Sequence, residues 1–200
     1  FLTSPNNPTG TALSAGELNP ILAAAPGIVV VDEAYAEFRR AGTPTALELL
    51  GANPKLIVTR TMSKAFALAG GRLGYLAADP AIVDALRIVR LPYHLSAVTQ
   101  ATAVAALKHT DELLAKVDEI RATRDQTAQW LRDRNYEVAT SDANFVLFGH
   151  FADRHLVWEG LVDRGVLIRE VGPDGWLRVS IGTPAEMQAF RNALAEVDPR

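Results

Sequence analysis

The strongest constraint on how this chain can fold is an alternation near its start. Over roughly the first ninety residues, short apolar runs rich in β-branched residues alternate with Ala/Leu-rich segments of helical period, the pattern of βαβ units and a parallel sheet. Strands are expected at Phe1-Leu2-Thr3, from Ile28 to Val31 ending at Asp32, from Leu56 to Thr59, and from Leu73 to Ala77. Ser14 with Glu17 three residues on is a capping-box signature for a helix through Ala25, ended by Pro26-Gly27. Asp79-Pro80 opens another helix, with Ile82, Val83, Leu86 and Val89 at helical spacing up to the break at Leu91-Pro92. From Ala97 to Leu131 there is no Gly or Pro, so two helices are expected there, the second long and solvent-facing on one side. Beyond Arg134, strands are expected over 136–139, 144–148, 166–169 and 176–181, with helices over 154–163 and from Pro184. The expected fold class is α/β: a mostly parallel-sheet large domain over 1–110, then a small α+β domain over 111–200 that includes the long connecting helix.

Composition bears on function more than on fold. With 200 residues, 48% hydrophobic and 22% charged, the chain can bury a substantial core. A net charge of -3 without a basic stripe argues against nucleic acid or anionic lipid as partner, so small molecules are the expected ligands. The absence of cysteine removes a thiolate nucleophile and a Cys zinc site, and it suits a cytoplasmic protein. His94, His109, His150 and His155 show no metal-ligand spacing, so no metal is expected. No run reaches the roughly 18 apolar residues of a membrane span.

Ligands of open α/β sheets bind beyond the carboxyl ends of the strands, and here those ends are polar. The first strand runs into Ser4-Pro5-Asn6-Asn7-Pro8-Thr9-Gly10, the second into Asp32-Glu33-Ala34-Tyr35, the third into Arg60-Thr61-Met62-Ser63-Lys64. Singly, Asn-Pro-Thr-Gly reads as a turn and a strand-closing Asp as an N-cap. Lys64 precedes a five-residue apolar run, Ala65-Phe66-Ala67-Leu68-Ala69, where an ammonium is expected to be poorly solvated and its pKa readily lowered. Such an amine can form a Schiff base with an aldehyde. Thr61, Ser63 and Arg72 supply two hydroxyls and a guanidinium, as a phosphate dianion requires. Asp32 suits a pyridinium nitrogen, and Tyr35 with Asn7 suits the phenolic oxygen of a pyridoxal phosphate ring.

These motifs, with Leu177-Arg178-Val179-Ser180, resemble the fold-type I aminotransferases. The stretches Arg87 to Ser96 and Ser141 to Phe148 resemble the histidinol-phosphate subfamily. The resemblance implies a pyridoxal 5'-phosphate enzyme that transfers an amino group between histidinol phosphate and 2-oxoglutarate in histidine biosynthesis. It implies that Lys64 carries the cofactor and moves the substrate proton, that Asp32 keeps the ring an electron sink, and that Asn7 and Tyr35 hold its O3'. Thr61, Ser63 and Arg72 would contribute to the phosphate site. Arg178 would grip the substrate carboxylate, Arg169 would share a substrate phosphate, and Asn144 and Tyr93 would line the substrate pocket.

The family also carries a long segment ahead of the strand that begins here, so the chain is expected to be the C-terminal portion of a longer enzyme, homodimeric when complete and inactive as these 200 residues alone. Gly71, where relatives have a bulkier residue, is expected to loosen its surroundings. An aromatic-amino-acid aminotransferase, an amino-acid-phosphate decarboxylase of the same fold, and a non-enzymatic interaction module are the alternatives.

Overall fold

The computed structural model describes residues 1–200. Its contacts divide them into two units, one of Phe1–Pro5 and Ala12–Val117, the other of Asn6–Thr11 and Asp118–Arg200. No helix is long and apolar enough to cross a membrane.

The first unit is built on a sheet of four strands in chain order: β1 (Leu2–Thr3), β2 (Val29–Asp32), β3 (Leu56–Thr61) and β4 (Gly74–Ala78). The first three pair in parallel. Helix α1 (Ala15–Ala24) makes the crossover from β1 to β2 and starts as expected: Ser14 Oγ accepts the Glu17 N–H at 3.3 Å, while Glu17 accepts the Ser14 N–H at 2.8 Å. Val29, Val31, Leu56 and Val58 alternate along the middle strands and bury one face against Leu18 and Ala46. Strand β4 departs from the parallel pattern and runs antiparallel to β3. A parallel return needs a crossover that traverses the sheet. The connection 62–73 holds only the short 3-10 helix Ala69–Gly71, so the chain turns back where β3 ends. Helices α2 (Pro80–Val89) and α3 (Ala97–Lys108) follow, with Asp79 and Ser96 as N-caps.

Helix α4 (Thr110–Arg132) passes from the first unit into the second. There β5 (Glu137–Val138), β6 (Phe145–Gly149) and β7 (Leu177–Ser180) form an antiparallel sheet, accompanied by α5 (Arg154–Asp163) and α6 (Pro184–Val197). Every residue of β6 is buried, as befits a central strand covered on both faces. Phe148 meets the rings of Tyr136, Phe151 and Phe190 at 5.6–5.9 Å in edge-on geometry. Leu131, Leu161, Leu177 and Leu194 complete the core.

The expected strand over 166–169 does not form. Gly165, at φ +76°, ends α5, and the Val166 N–H donates to the Leu161 carbonyl at 2.9 Å. That cap holds the chain away from β7, which it reaches only at Arg169, in an isolated antiparallel bridge to Arg178.

Candidate functional site

In the first unit the sheet register gathers the reactive residues. Thr3 pairs with Asp32 and Asp32 with Thr59, so β1 and β2 end level with Thr59, two residues before β3 ends, and the polar continuations leave from one edge. Asp32 is half-buried, and through one carboxylate oxygen it accepts the Ala34 N–H at 3.1 Å. Tyr35 follows at the head of the 3-10 turn Ala36–Phe38. Lys64 Nζ lies over the Tyr35 ring, 5.8 Å from its centre, so side chains from two strand ends meet.

The loop from β3 to β4 is closed by the Met62 N–H to the Leu73 carbonyl at 3.1 Å and the Leu68 N–H to the Met62 carbonyl at 3.0 Å. Thr61 Oγ1 donates to the Leu73 carbonyl at 3.3 Å and accepts the Ser63 N–H at 3.1 Å. Ser63 and Lys64 therefore leave one arm of the closed loop and Arg72 the other. Arg72 sits in the left-handed region at φ +49°, and its Nη1 donates to the Ala69 carbonyl at 3.2 Å.

Two expectations for this loop need correction. The apolar setting foreseen for Lys64 does not form: Ala65 is buried, but Ala67 takes φ +51° and the run bends back into the 3-10 turn, which leaves Lys64 exposed. Nor is Gly71 loosely packed. A Cβ there would come within 2.8 Å of Leu68 Cγ, so a larger residue requires Leu68 to move.

A buried charge pair next to this edge was not anticipated. Adjacent strand residues point to opposite faces, so where Asp32 is partly accessible Glu33 is only 2% exposed. Glu33 accepts from Arg60 Nε and Nη2 at 3.1 and 2.7 Å, from Thr45 Oγ1 at 2.8 Å, and from the Ala46 N–H at 2.6 Å. Burial works against the Arg60 guanidinium, yet the hydrogen bond and charge of Glu33 raise it above its ordinary value. Burial also raises the carboxyl of nearby Glu37. The pair braces the ends of β2 and β3, and with them Asp32 and Thr61. Its signal in the sequence was a Glu after the strand-closing Asp and an Arg at the end of the next strand.

Tyr93 is fully exposed between α2 and α3, at φ +59°, and the first unit does not gather it with Asp32, Tyr35 and Lys64.

In the second unit Arg169 and Arg178 face each other, each N–H donating to the other's carbonyl at 2.9 Å. Directly opposed residues of an antiparallel pair project to one face, so two guanidinium groups share it. A cavity of about 420 Å³ there is lined by Trp158, Ile168, Arg169, Glu170, Arg178 and Ser180. The Arg178 guanidinium lies 4.6 Å from the centre of the Phe145 ring, and its Nη1 donates to Asn7 Oδ1. Phe145 as a platform was missed, because a buried strand Phe looks like ordinary core. Asn7 is held by a tight loop in which the Gly10 N–H donates to the Asn6 carbonyl at 2.7 Å and the Asp142 N–H to the Gly10 carbonyl at 2.7 Å. Gly10 has φ +78°, and a Cβ on it would collide with Ser141. Asn144 is half-buried beside Phe145, its carbonyl accepting the Ile181 N–H at 2.9 Å.

Residues 1–194 match the family model for aminotransferase class I and II. The chain is 68% identical over 194 residues to a histidinol-phosphate aminotransferase of Thermobifida fusca, covering 97% of this chain and 53% of that protein. It is 67% identical over 197 residues to histidinol-phosphate aminotransferase 3 of Burkholderia lata, covering 98% and 53%. The crystal structure of histidinol-phosphate aminotransferase from Sinorhizobium meliloti in complex with pyridoxal-5'-phosphate matches with a TM-score of 0.87 at 31% identity, covering 98% of this chain and 56% of that one. The chain thus spans about half the length of the curated relatives it matches. The strand-end lysine loop, the paired arginines and these likenesses agree: the chain belongs to the class I and II aminotransferases.

Proposed function

We propose that the full-length protein is a pyridoxal 5'-phosphate-dependent aminotransferase that exchanges an amino group between histidinol phosphate and 2-oxoglutarate in histidine biosynthesis. The observation that carries this is the edge of the first unit's sheet where the parallel strands end, with Lys64 over Tyr35 on a loop that also bears Thr61, Ser63 and Arg72. The donor set fits the cofactor: an exposed amine for the aldehyde, hydroxyls and a guanidinium for the phosphate, a strand-end carboxylate for the ring nitrogen. When bound, pyridoxal phosphate supplies an electron sink for the substrate carbon that loses its proton.

The chain's own residues do the rest. With the cofactor in place, Asp32 would keep the ring nitrogen protonated, Tyr35 and Asn7 would hold O3', and Thr61, Ser63 and Arg72 would bind the phosphate. Lys64 Nζ moves the proton at the substrate carbon as general acid and base. Arg178 takes the carboxylate of glutamate, Arg169 joins it when the substrate brings a phosphate, and Asn144 lines the substrate pocket. The working form is a cytoplasmic homodimer, checkable by sedimentation and fractionation.

Borohydride reduction of the full-length protein with pyridoxal phosphate is expected to place the label on Lys64, and Lys64→Ala to lower turnover by about 10³-fold or more. Turnover is expected to favour histidinol phosphate over phenylalanine. Label elsewhere would sink the cofactor assignment, and a preference for phenylalanine would sink the substrate assignment. The 200 residues alone are expected to show no transamination in the same assay.

A further inference from the structure

The start of α5 grips the segment that carries Arg169. Arg154 Nη1 donates to the carbonyls of Pro173 at 2.8 Å and Gly172 at 3.2 Å, and Trp158 Nε1 donates to the Ile168 carbonyl at 3.0 Å. Between those anchors, Glu170 is held by two basic side chains: its Oε1 lies 3.4 Å from Arg154 Nε and its Oε2 3.0 Å from His155 Nδ1. The His155 ring is stacked on Trp158, 5.7 Å between centres, and its Nε2 lies 3.3 Å from Glu159. Glu170 follows Arg169 in the chain, and both line the cavity of the paired arginines. A carboxylate free to turn onto Arg169 would compete with any anionic ligand there.

We propose that Arg154 and His155 are positioning residues for Arg169: they hold the Glu170 carboxylate on the α5 side and so keep the Arg169 guanidinium open to an anion. The inference rests on Arg169 as the arginine that meets the substrate's anionic group. It ties affinity to pH. The charges facing His155 are Asp153 at the N-cap of α5, Glu159 of α5 and Glu170 of the gripped segment; the neighbouring Arg154 bridges Glu170 and Asp174. The hydrogen bond His155 donates to Glu170, then the charge of Glu159, raise His155 above its ordinary value. Loss of that proton as pH rises weakens the hold on Glu170, so anion affinity falls.

In the full-length protein, His155→Gln is expected to raise KM for the phosphate-bearing substrate about five- to tenfold near pH 6, with kcat changed less than about twofold. The gap from wild type is expected to narrow toward about pH 8.5, where wild type has lost the same proton. Adding Glu170→Gln is expected to restore the wild-type KM, because the competing carboxylate is gone; damage to the helix would not be rescued. Inorganic phosphate, titrated as a probe in the absence of substrate, is expected to bind the same variants in the same order. Failure of the double variant to recover, or a loss confined to kcat, overturns the inference, as does indifference of both KM and phosphate affinity to the substitutions. If the protein does not transaminate but the phosphate series holds, the functional reading fails and this one stands.

Discussion

Glu33 and Arg60 illustrate how one pair of side chains can underlie a site it does not enter. Two Arg60 N–H groups converge on Glu33 Oε2, and Thr45 with the Ala46 N–H fills the remaining acceptor positions, which makes the burial of a carboxylate tolerable. Arg60→Ala is expected to strand that carboxylate and cost about 3 kcal/mol in urea unfolding, more than a typical surface charge. Tyr136 offers a pH-dependent counterpart. Its hydroxyl donates to the Asp198 carbonyl at 3.0 Å and lies 3.1 Å from the Asp198 carboxylate. Burial, then the Asp198 charge, raise its pKa above the ordinary value of about 10. Below that pH neither folded nor unfolded Tyr136 ionises, so there is no effect. Above it only the unfolded chain loses the proton, and stability falls as pH climbs. Tyr136→Phe is expected to lose about 1 kcal/mol at neutral pH and to flatten this alkaline limb of a stability-against-pH curve.

Among the elements, caps and close contacts decide what the apolar pattern leaves open. Helix α6 begins with Thr183 and Glu186 in a reciprocal capping box, the Thr183 N–H donating to Glu186 at 2.7 Å. Thr183→Ala is expected to cost about 1 kcal/mol by thermal unfolding. Helices α5 and α6 approach at Gly160, where a Cβ would come within 2.8 Å of Val197. Gly160→Ile is expected to cost about 1–3 kcal/mol by overpacking, with a loss of hydrogen-exchange protection along both helices. Helices α1, α2 and α6 were visible beforehand because Ser14 with Glu17, Asp79-Pro80 and Pro184 sit where helix starts belong. The failed strand at 166–169 was not, since Val-Leu-Ile-Arg has strand propensity and only the Gly165 cap, a contact with the preceding helix, withdraws it.

At the scale of the molecule, the two units have unequal cores. The cluster around Phe148, Leu177 and Phe190 contains fifteen buried residues, against six around Val31 and Leu56. The second unit is therefore expected to be the more stable. All three tryptophans, Trp130, Trp158 and Trp176, lie in it. In a urea titration, far-UV circular dichroism is expected to begin its transition before tryptophan fluorescence does, and coincident curves would contradict unequal stability. The first unit also carries an apolar groove of about 570 Å³ along β4 and α2, lined by Tyr75, Leu76, Val83, Leu86 and Val89.

The sequence by itself determined the order and type of most elements, and the family whose residues they display, because strand and helix periods, caps and strand-end motifs are local properties. It also placed Lys64, Asp32, Tyr35, Thr61, Ser63 and Arg72 at the ends of strands, and register then aligned those ends. Only the tertiary structure decided that β4 turns back antiparallel, that Lys64 stands exposed beside Tyr35, and that Asn7 meets Arg178 over Phe145. The physical reason is common to all three. Each depends on where distant residues bring the chain back, as the closure of the 62–73 loop and the 171-residue separation of Asn7 from Arg178 illustrate, and no local period or cap encodes that return.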